Sequence, residues 1–281
     1  MKSISREPDT AAYIERPHAV TPAQGAAIRY TIATLINDPS QYAAMRASFE
    51  AGGFTGADCE YLFIDNSKSN RACAYRGLDA MLSEARGSLV ILCHQDVRLL
   101  SDDRTTLDAR LANLSQRDAD WALAGNAGAL AAGRLALRIT DPHGANQHMG
   151  TLPARVMSLD ENFIVVRRSA RVGFSRNLSG FHLYGADLCL NAAMAGYSAY
   201  VIDFHLAHLS AGNKSDAFAA AERAFRDKWN KALSPRWMQT TCTLVHLSGD
   251  RIGQLAGRLA ARPLASLNRR MGSISGGGSR D

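Results

Sequence analysis

Glycine is missing where a phosphate-cradling turn would need it. None occurs between Gly25 and Gly52, the stretch that holds the first β-rich apolar run and the helix-compatible segment after it. A dinucleotide-binding Rossmann unit needs glycines there so that backbone can approach the pyrophosphate, and a P-loop needs them with a lysine. Both patterns are absent, which argues against nicotinamide cofactors and Walker-type ATP binding. Cysteine is also sparse. The five residues Cys59, Cys73, Cys93, Cys189 and Cys242 are scattered, odd in number and without a CxxC pair, so neither a disulfide framework nor a structural zinc site is expected, and a reducing compartment fits. No run of about 18 apolar residues occurs, so no membrane-spanning helix is expected. "MKSISREPDTAAYIERPH" has no apolar core and is not a secretory signal.

What is present fits one sizeable core. The chain has 281 residues, 46% of them hydrophobic, within the range of a single large domain with a small appendage. The net charge of +6 mildly favours anionic partners. Apolar runs alternate with helix-compatible stretches. "AIRYTIATLI" precedes "PSQYAAMRASFEAGG", "EYLFID" precedes "ACAYRGLDAMLSEARG", and "SLVILC" precedes "TTLDARLANLSQR", with "DWALAG" next. This βαβα order predicts an α/β fold with a mostly parallel central sheet flanked by helices. Residues 126 to 158, rich in Gly, Asn and His, read as loops or a small hairpin. "NFIVVRR" and "SAYVIDF" read as strands; "GADLCLNAAMAGY" and "SDAFAAAERAFRDKWNKAL" read as helices. The expected division is a leader over 1–24, the main domain over 25–232, and a basic helical tail over 233–281. In the tail, "RIGQLAGRLAARPLASLNRR" carries five arginines and no acid, with Ile252, Leu255 and Leu259 on one stripe. Such a helix can lie on anionic lipid or pack its stripe on a core.

Ligands of open α/β sheets bind beyond the carboxyl ends of the strands. The first strand ends at Asn37-Asp38, the second at Asp65-Asn66 and the third at His94-Gln95-Asp96; a later one leads to His205 and His208. Nucleotide- and metal-binding groups thus gather on one rim. Each has a plainer alternative: Asp38 before Pro39 is also a helix cap, and Asp65 is also a turn residue. Without a glycine-rich loop, a divalent cation held by Asp96 and a histidine would have to neutralise a bound diphosphate.

"FIDNSKSN", "LCHQDV", "WALAGNAG", "LDENFIVVRRS" and "GFHLYGADLCLNAAMAGYSAYVIDFHLAHLSAG" occur in that order. Together they resemble the inverting, family 2-like nucleotide-diphospho-sugar glycosyltransferases of GT-A fold, and within them a bacterial branch with HQD in place of DxD. The resemblance spans about residues 28 to 213. It implies a transferase that moves a sugar from a nucleotide-diphospho-sugar to a hydroxyl of a glycan or lipid-linked acceptor, in surface glycan or glycolipid synthesis, with Mn²⁺ or Mg²⁺ and no nucleic-acid partner. It implies Asp187 as the base that takes the acceptor proton, Asp96 and His208 (alternatively His205) as metal ligands, and Asn37, Asp38, Asp65, Asn66, His94, Gln95, Asp96 and Asp160 as donor-binding groups. His94 stands where the family usually has an acid. "LSPRW" has Leu233 in place of the glutamine of the processive synthases' QxxRW. Together with the lack of a spanning run, that implies a cytoplasmic enzyme, peripheral at most to the inner membrane face. Two other readings stay open: a non-catalytic nucleotide-sugar- or glycan-binding module on the same fold, and a nucleotidyltransferase.

Overall fold

A computed structural model describes residues 27–212 and 216–260; the expected leader and the tail beyond 260 lie outside the described residues. The chain divides into two compact units, 1–222 and 223–281.

The first unit begins with three strands whose every residue is buried or half-buried: β1 (Tyr30–Ile36), β2 (Cys59–Asp65) and β3 (Leu89–Cys93). They pair in parallel with β1 in the middle, as expected for strands buried on both faces. Helix α1 (Pro39–Ala51) links β1 to β2, and α2 (Ala74–Glu84) links β2 to β3. Tyr30, Ile32 and Ile36 of β1 join Tyr42, Met45 and Phe49 of α1 in the main core. On the other face Leu35 presses on Gly77 of α2, where a Cβ would stand 2.8 Å from Leu35 Cδ2 and the leucine would have to shift. The chain then makes β4 (Val97–Leu99), α3 (Arg104–Arg117) and β5 (Trp121–Gly125). Leu107, Leu111 and Leu114 of α3 complete the α1 side of the core. Burying each such side chain is worth about 1.5–3 kcal/mol.

Residues 126–158, expected as loops or a small hairpin, instead form four strands: β6 (Ala127–Ala131), β7 (Arg134–Asp141), β8 (Gly144–Met149) and β9 (Ala154–Val156). The signal was weak because these strands are clothed by small or polar residues; β8 buries none of its six. After β10 (Ser158–Leu159) comes β11 (Phe163–Arg167), then α4 (Tyr184–Met194), β12 (Ser198–Val201) and β13 (Leu206–His208). The larger sheet has the order β2-β1-β3-β11-β5-β12-β9. Its left part and the β5–β12 pair are parallel, but β11 runs antiparallel between β3 and β5, and β9 antiparallel to β12. The expectation of an α/β fold with a helix-flanked central sheet is met, with a sheet more mixed than the βαβ count suggested. Its departure has a simple cause: between β5 and β11 the chain passes through β6 to β10 with no crossover helix, so it enters β11 in the opposite direction. The smaller sheet, β10-β6-β7-β13-β4 with β8 on β7, lies past the carboxyl end of β3.

Helix α5 (Asp216–Leu233) is followed in the second unit by a hairpin of β14 (Arg236–Gln239) and β15 (Leu244–Leu247) and a helical stretch over 251–260. That stretch meets the hairpin through its small face: a Cβ at Gly257 would stand 2.4 Å from His246, and His246 Nδ1 lies 3.1 Å from the Gly253 carbonyl. Ile252, Leu255 and Leu259 are therefore left 83, 60 and 71% exposed. The stripe does not pack on a core among the described residues.

Candidate metal and nucleotide site

The site is made where the chain leaves one sheet for the other. After Cys93, the last buried residue of β3, the chain turns through His94-Gln95-Asp96 and enters β4. The His94 amide donates to the Asn162 carbonyl (2.9 Å) and Val97 N to the His94 carbonyl (3.3 Å). Gln95 clamps this turn to the end of β1: its Oε1 accepts from Asn37 N (2.8 Å) and Asp38 N (3.0 Å), and its Nε2 donates to Asn37 Oδ1. β13 lies antiparallel to β4 with His208 opposite Val97, and Leu209 N donates to the Asp96 carbonyl (3.1 Å). Sheet register thus sets His208 beside Asp96, although the two are far apart in sequence.

The result is a cluster of His94, Asp96 and His208, whose candidate ligand atoms all lie within 4.8 Å of one another. His94 Nδ1 is 3.3 Å from His208 Nε2; Asp96 Oδ1 is 3.4 Å from His208 Nε2 and 4.0 Å from His94 Nδ1. Burial would raise the Asp96 carboxyl, but the hydrogen bond and charge of His208, with the charge of His94, outweigh it and hold Asp96 well below the usual carboxylate range. Burial and the neighbouring His208 push His94 down, toward the neutral imidazole that a metal requires. His208 moves up, because its bond to Asp96 outweighs burial. An anionic oxygen and two imidazole nitrogens converging on one point fit a divalent cation: two ligands of one such ion sit roughly 3–3.5 Å apart.

The cluster opens on a cleft of about 530 Å³ lined by Ile36, Asn37, Asn66, Asn70, Cys93, His94, Gln95, Asp96, Tyr184 and Ser210 among others. That volume suits a nucleotide-sized ligand. Of the other expected donor-binding residues, Asp38 caps α1 through Ser40 N (2.9 Å) and Gln41 N (3.2 Å), and Asp65 accepts from Ser67 N (2.7 Å). Neither lines the cleft, although both sit at its rim, on adjoining strand ends where Ile36 pairs with Asp65. Asn66 spends its side chain on the loop, accepting from Arg71 N and donating to the Ala72 carbonyl. His205, the alternative metal ligand, is turned away: it is buried, with Nε2 2.9 Å from Thr140 Oγ1.

Asp187, expected to face an acceptor, does not do so. It is fully buried. Oδ2 accepts from Ser175 N (2.8 Å) and Asn191 Nδ2 (3.1 Å), and Oδ1 from Ser175 Oγ (2.7 Å). It lies in the first turn of α4, where a carboxylate is favoured by the helix dipole, and ties that helix to the 173–175 loop. The exposed carboxylate is Asp160. Its Oδ1 is held by Asn162 N (3.0 Å), and its charge reaches both His94 and His208.

Two neighbours escaped the sequence reading. Tyr184, buried at the start of α4, places its hydroxyl 2.7 Å from His94 Nε2 and donates to the Glu161 carbonyl (3.1 Å). Glu161 Oε1 accepts from Gly185 N (3.2 Å); burial pushes this carboxyl up to about 8, against the pull of the α4 amides. Each looks like an ordinary core or helix-start residue in the sequence; the fold brings Tyr184 to His94 and Glu161 to the first amides of α4.

Glu161 gives a pH signature. Its folded-state value lies above the ordinary 4.5, so the folded chain holds a proton that the unfolded chain releases, and stability falls as pH rises from about 5 to 8. Glu161→Gln should flatten that fall: its melting temperature relative to wild type should rise between pH 5 and pH 9, by roughly 2–4 °C for each kcal/mol involved. A constant difference across that range would show that Glu161 is ionised throughout.

No protein-family model matches the chain. It is 34% identical over 228 residues, 79% of its length and 92% of the other, to "ATP synthase subunits region ORF 6" of Fuscovulum blasticum. Among solved structures, it is similar to GalNAc-T7 with UDP, GalNAc and Mn²⁺ (8% identity, TM-score 0.44, 72% of this chain and 48% of that one). It is also similar to mannosyltransferase PcManGT from Pyrobaculum calidifontis in complex with GDP-Man and Mn²⁺ (15%, 0.43, 73% and 63%) and to A197 from STIV (12%, 0.40, 64% and 85%).

Proposed function

We propose a function for this chain, which belongs to the same family as the Fuscovulum blasticum protein: a metal-dependent, inverting glycosyltransferase that moves a sugar from a nucleotide-diphospho-sugar to a hydroxyl of a glycan or lipid-linked acceptor in bacterial surface glycan or glycolipid synthesis. One observation carries the reading. The His94–Asp96–His208 cluster opens on a cleft of about 530 Å³ at the carboxyl ends of β1 and β3, where open α/β sheets bind nucleotides.

Bound there, Mn²⁺ or Mg²⁺ would neutralise charge developing on the leaving diphosphate. Asp96 and His208 would hold the ion, and Gln95 keeps the Asp96 turn rigid against β1. Asn37 and Asn70 line the nucleotide end of the cleft, with Asp38 and Asp65 at its rim for base and ribose. Asn66 shapes the wall through its loop bonds. Ser210, 3.2 Å from His208 Nε2, lies at the diphosphate end. Asp160 takes the acceptor proton: it is exposed and adjoins the cluster, whereas Asp187 is a buried positioning residue that fixes α4. A positioned base of this kind contributes roughly 10²- to 10⁴-fold.

Three variants test these roles, read by donor hydrolysis with Mn²⁺ and by melting temperature. Asp96→Asn should abolish metal-stimulated hydrolysis. Asp160→Asn should lower turnover at least about 100-fold without moving the melting temperature, consistent with loss of a base. Asp187→Asn should lose stability, by about 1–3 kcal/mol, since it leaves buried partners poorly matched. Full turnover in Asp160→Asn would return the base role to another carboxylate. Metal-dependent affinity for nucleotide sugars with no hydrolysis in wild type would favour the binding-module reading.

The second unit supplies a membrane contact in this proposal. The exposed stripe of Ile252, Leu255 and Leu259 is flanked by Arg251 and Arg258, suited to an anionic lipid surface. In co-sedimentation, the protein should bind phosphatidylglycerol vesicles and not phosphatidylcholine ones, and Ile252→Ser with Leu255→Ser should abolish it. Equal sedimentation with both lipids, or none, would remove the membrane from the account.

A further inference from the structure

The cluster departs from an all-oxygen cation site in one respect, and the hydrogen bonds around His94 give that departure a function. The Glu161 carbonyl can only accept, and the Tyr184 hydroxyl donates to it at 3.1 Å. Tyr184 has one proton. If that proton goes to the carbonyl, its oxygen, 2.7 Å from His94 Nε2, accepts from the ring. That arrangement makes His94 the Nε2–H tautomer and would leave the lone pair on Nδ1, the atom that faces His208 Nε2 at 3.3 Å and Asp96 Oδ1 at 4.0 Å. A hydrogen bond on the far nitrogen is what orients a metal-binding imidazole and raises its basicity.

The frame of this relay is stiff. Tyr184 is buried against Tyr75 and Phe174, with ring centroids 6.4 and 6.1 Å away. Leu183, just before it, is held at φ 64°, a left-handed conformation that costs a leucine roughly 1–2 kcal/mol. Strain of this sort persists only where surrounding packing fixes it, and here it fixes the start of α4 from which the tyrosine projects.

We propose that His94 is a third metal ligand through Nδ1, that Tyr184 is the positioning residue that keeps Nδ1 free, and that the resulting two-nitrogen, one-carboxylate set makes the site selective for a transition ion of the Mn²⁺ class over Mg²⁺. This rests on the metal-dependent reading above and decides between the two ions it leaves open. The reason is ligand hardness. Mg²⁺ takes oxygen ligands and keeps its waters, whereas imidazole suits first-row transition ions.

The test uses the full chain and the metals alone. Mn²⁺ binding is followed by loss of the free-ion electron paramagnetic resonance signal, with Mg²⁺ as competitor, in the absence and presence of UDP or GDP. Wild type should bind Mn²⁺ at least about tenfold more tightly than Mg²⁺. His94→Asp, which lies on the half-exposed side of the cluster, should narrow that ratio to near unity. Tyr184→Phe keeps the ring and its packing; it should weaken Mn²⁺ roughly 10- to 100-fold and Mg²⁺ less, so the ratio falls although melting is little changed. Equal binding of the two ions by wild type, or an unchanged ratio in His94→Asp or Tyr184→Phe, would overturn the inference and leave metal dependence standing. Failure of every divalent ion to bind, with and without nucleotide, would overturn both.

Discussion

The structure turns on one junction. A buried strand, β3, ends without a loop, and its next three residues carry the chain into a second sheet. Gln95 fixes that turn to the end of β1 through two accepted amide bonds and one donated bond. The β4–β13 register then brings His208 to Asp96. A metal-binding group must hold its ligands to within a fraction of an ångström. Here that rigidity comes from backbone pairing of two sheets together with the Gln95 clamp.

The same junction accounts for the electrostatics. Burying a carboxylate beside two imidazoles is unfavourable unless the charges are matched. Asp96 stays ionised because His208 donates to it, and desolvation with a second imidazole alongside favours the neutral form of His94. A cation bound here would take the place of the proton that His208 shares with Asp96, while Glu161, one layer behind, holds its own proton. Two neighbouring acids, Asp160 and Glu161, are separated by environment: one faces solvent, the other the amides at the start of α4.

Much of this was legible in the sequence. The three opening strands and their helices announced themselves as continuous apolar runs alternating with amphipathic stretches, and the strand ends marked the rim. Asp96 could be singled out because chelating residues followed an apolar run with no turn residue between, whereas the preference for His208 over His205 came from the family resemblance. The second sheet was not legible, since β6 to β9 are built of small and polar residues whose periodicity is faint. Asp187 carries a related ambiguity. An acid in the first turn of a helix has the same local pattern whether it faces a substrate or, as here, ties a loop to the helix; only burial separates the two. Tyr184 and Glu161 gave no local signal, because what matters about them is a distant partner: His94 for the one, the start of α4 for the other.

Pulsed electron paramagnetic resonance on the Mn²⁺-loaded chain with UDP or GDP examines the central arrangement most directly, because it reads the atoms bound to the ion. The account predicts nitrogen couplings from two histidines together with phosphorus coupling from the diphosphate. A bound Mn²⁺ that shows phosphorus coupling with no histidine nitrogen would place the ion elsewhere and contradict it.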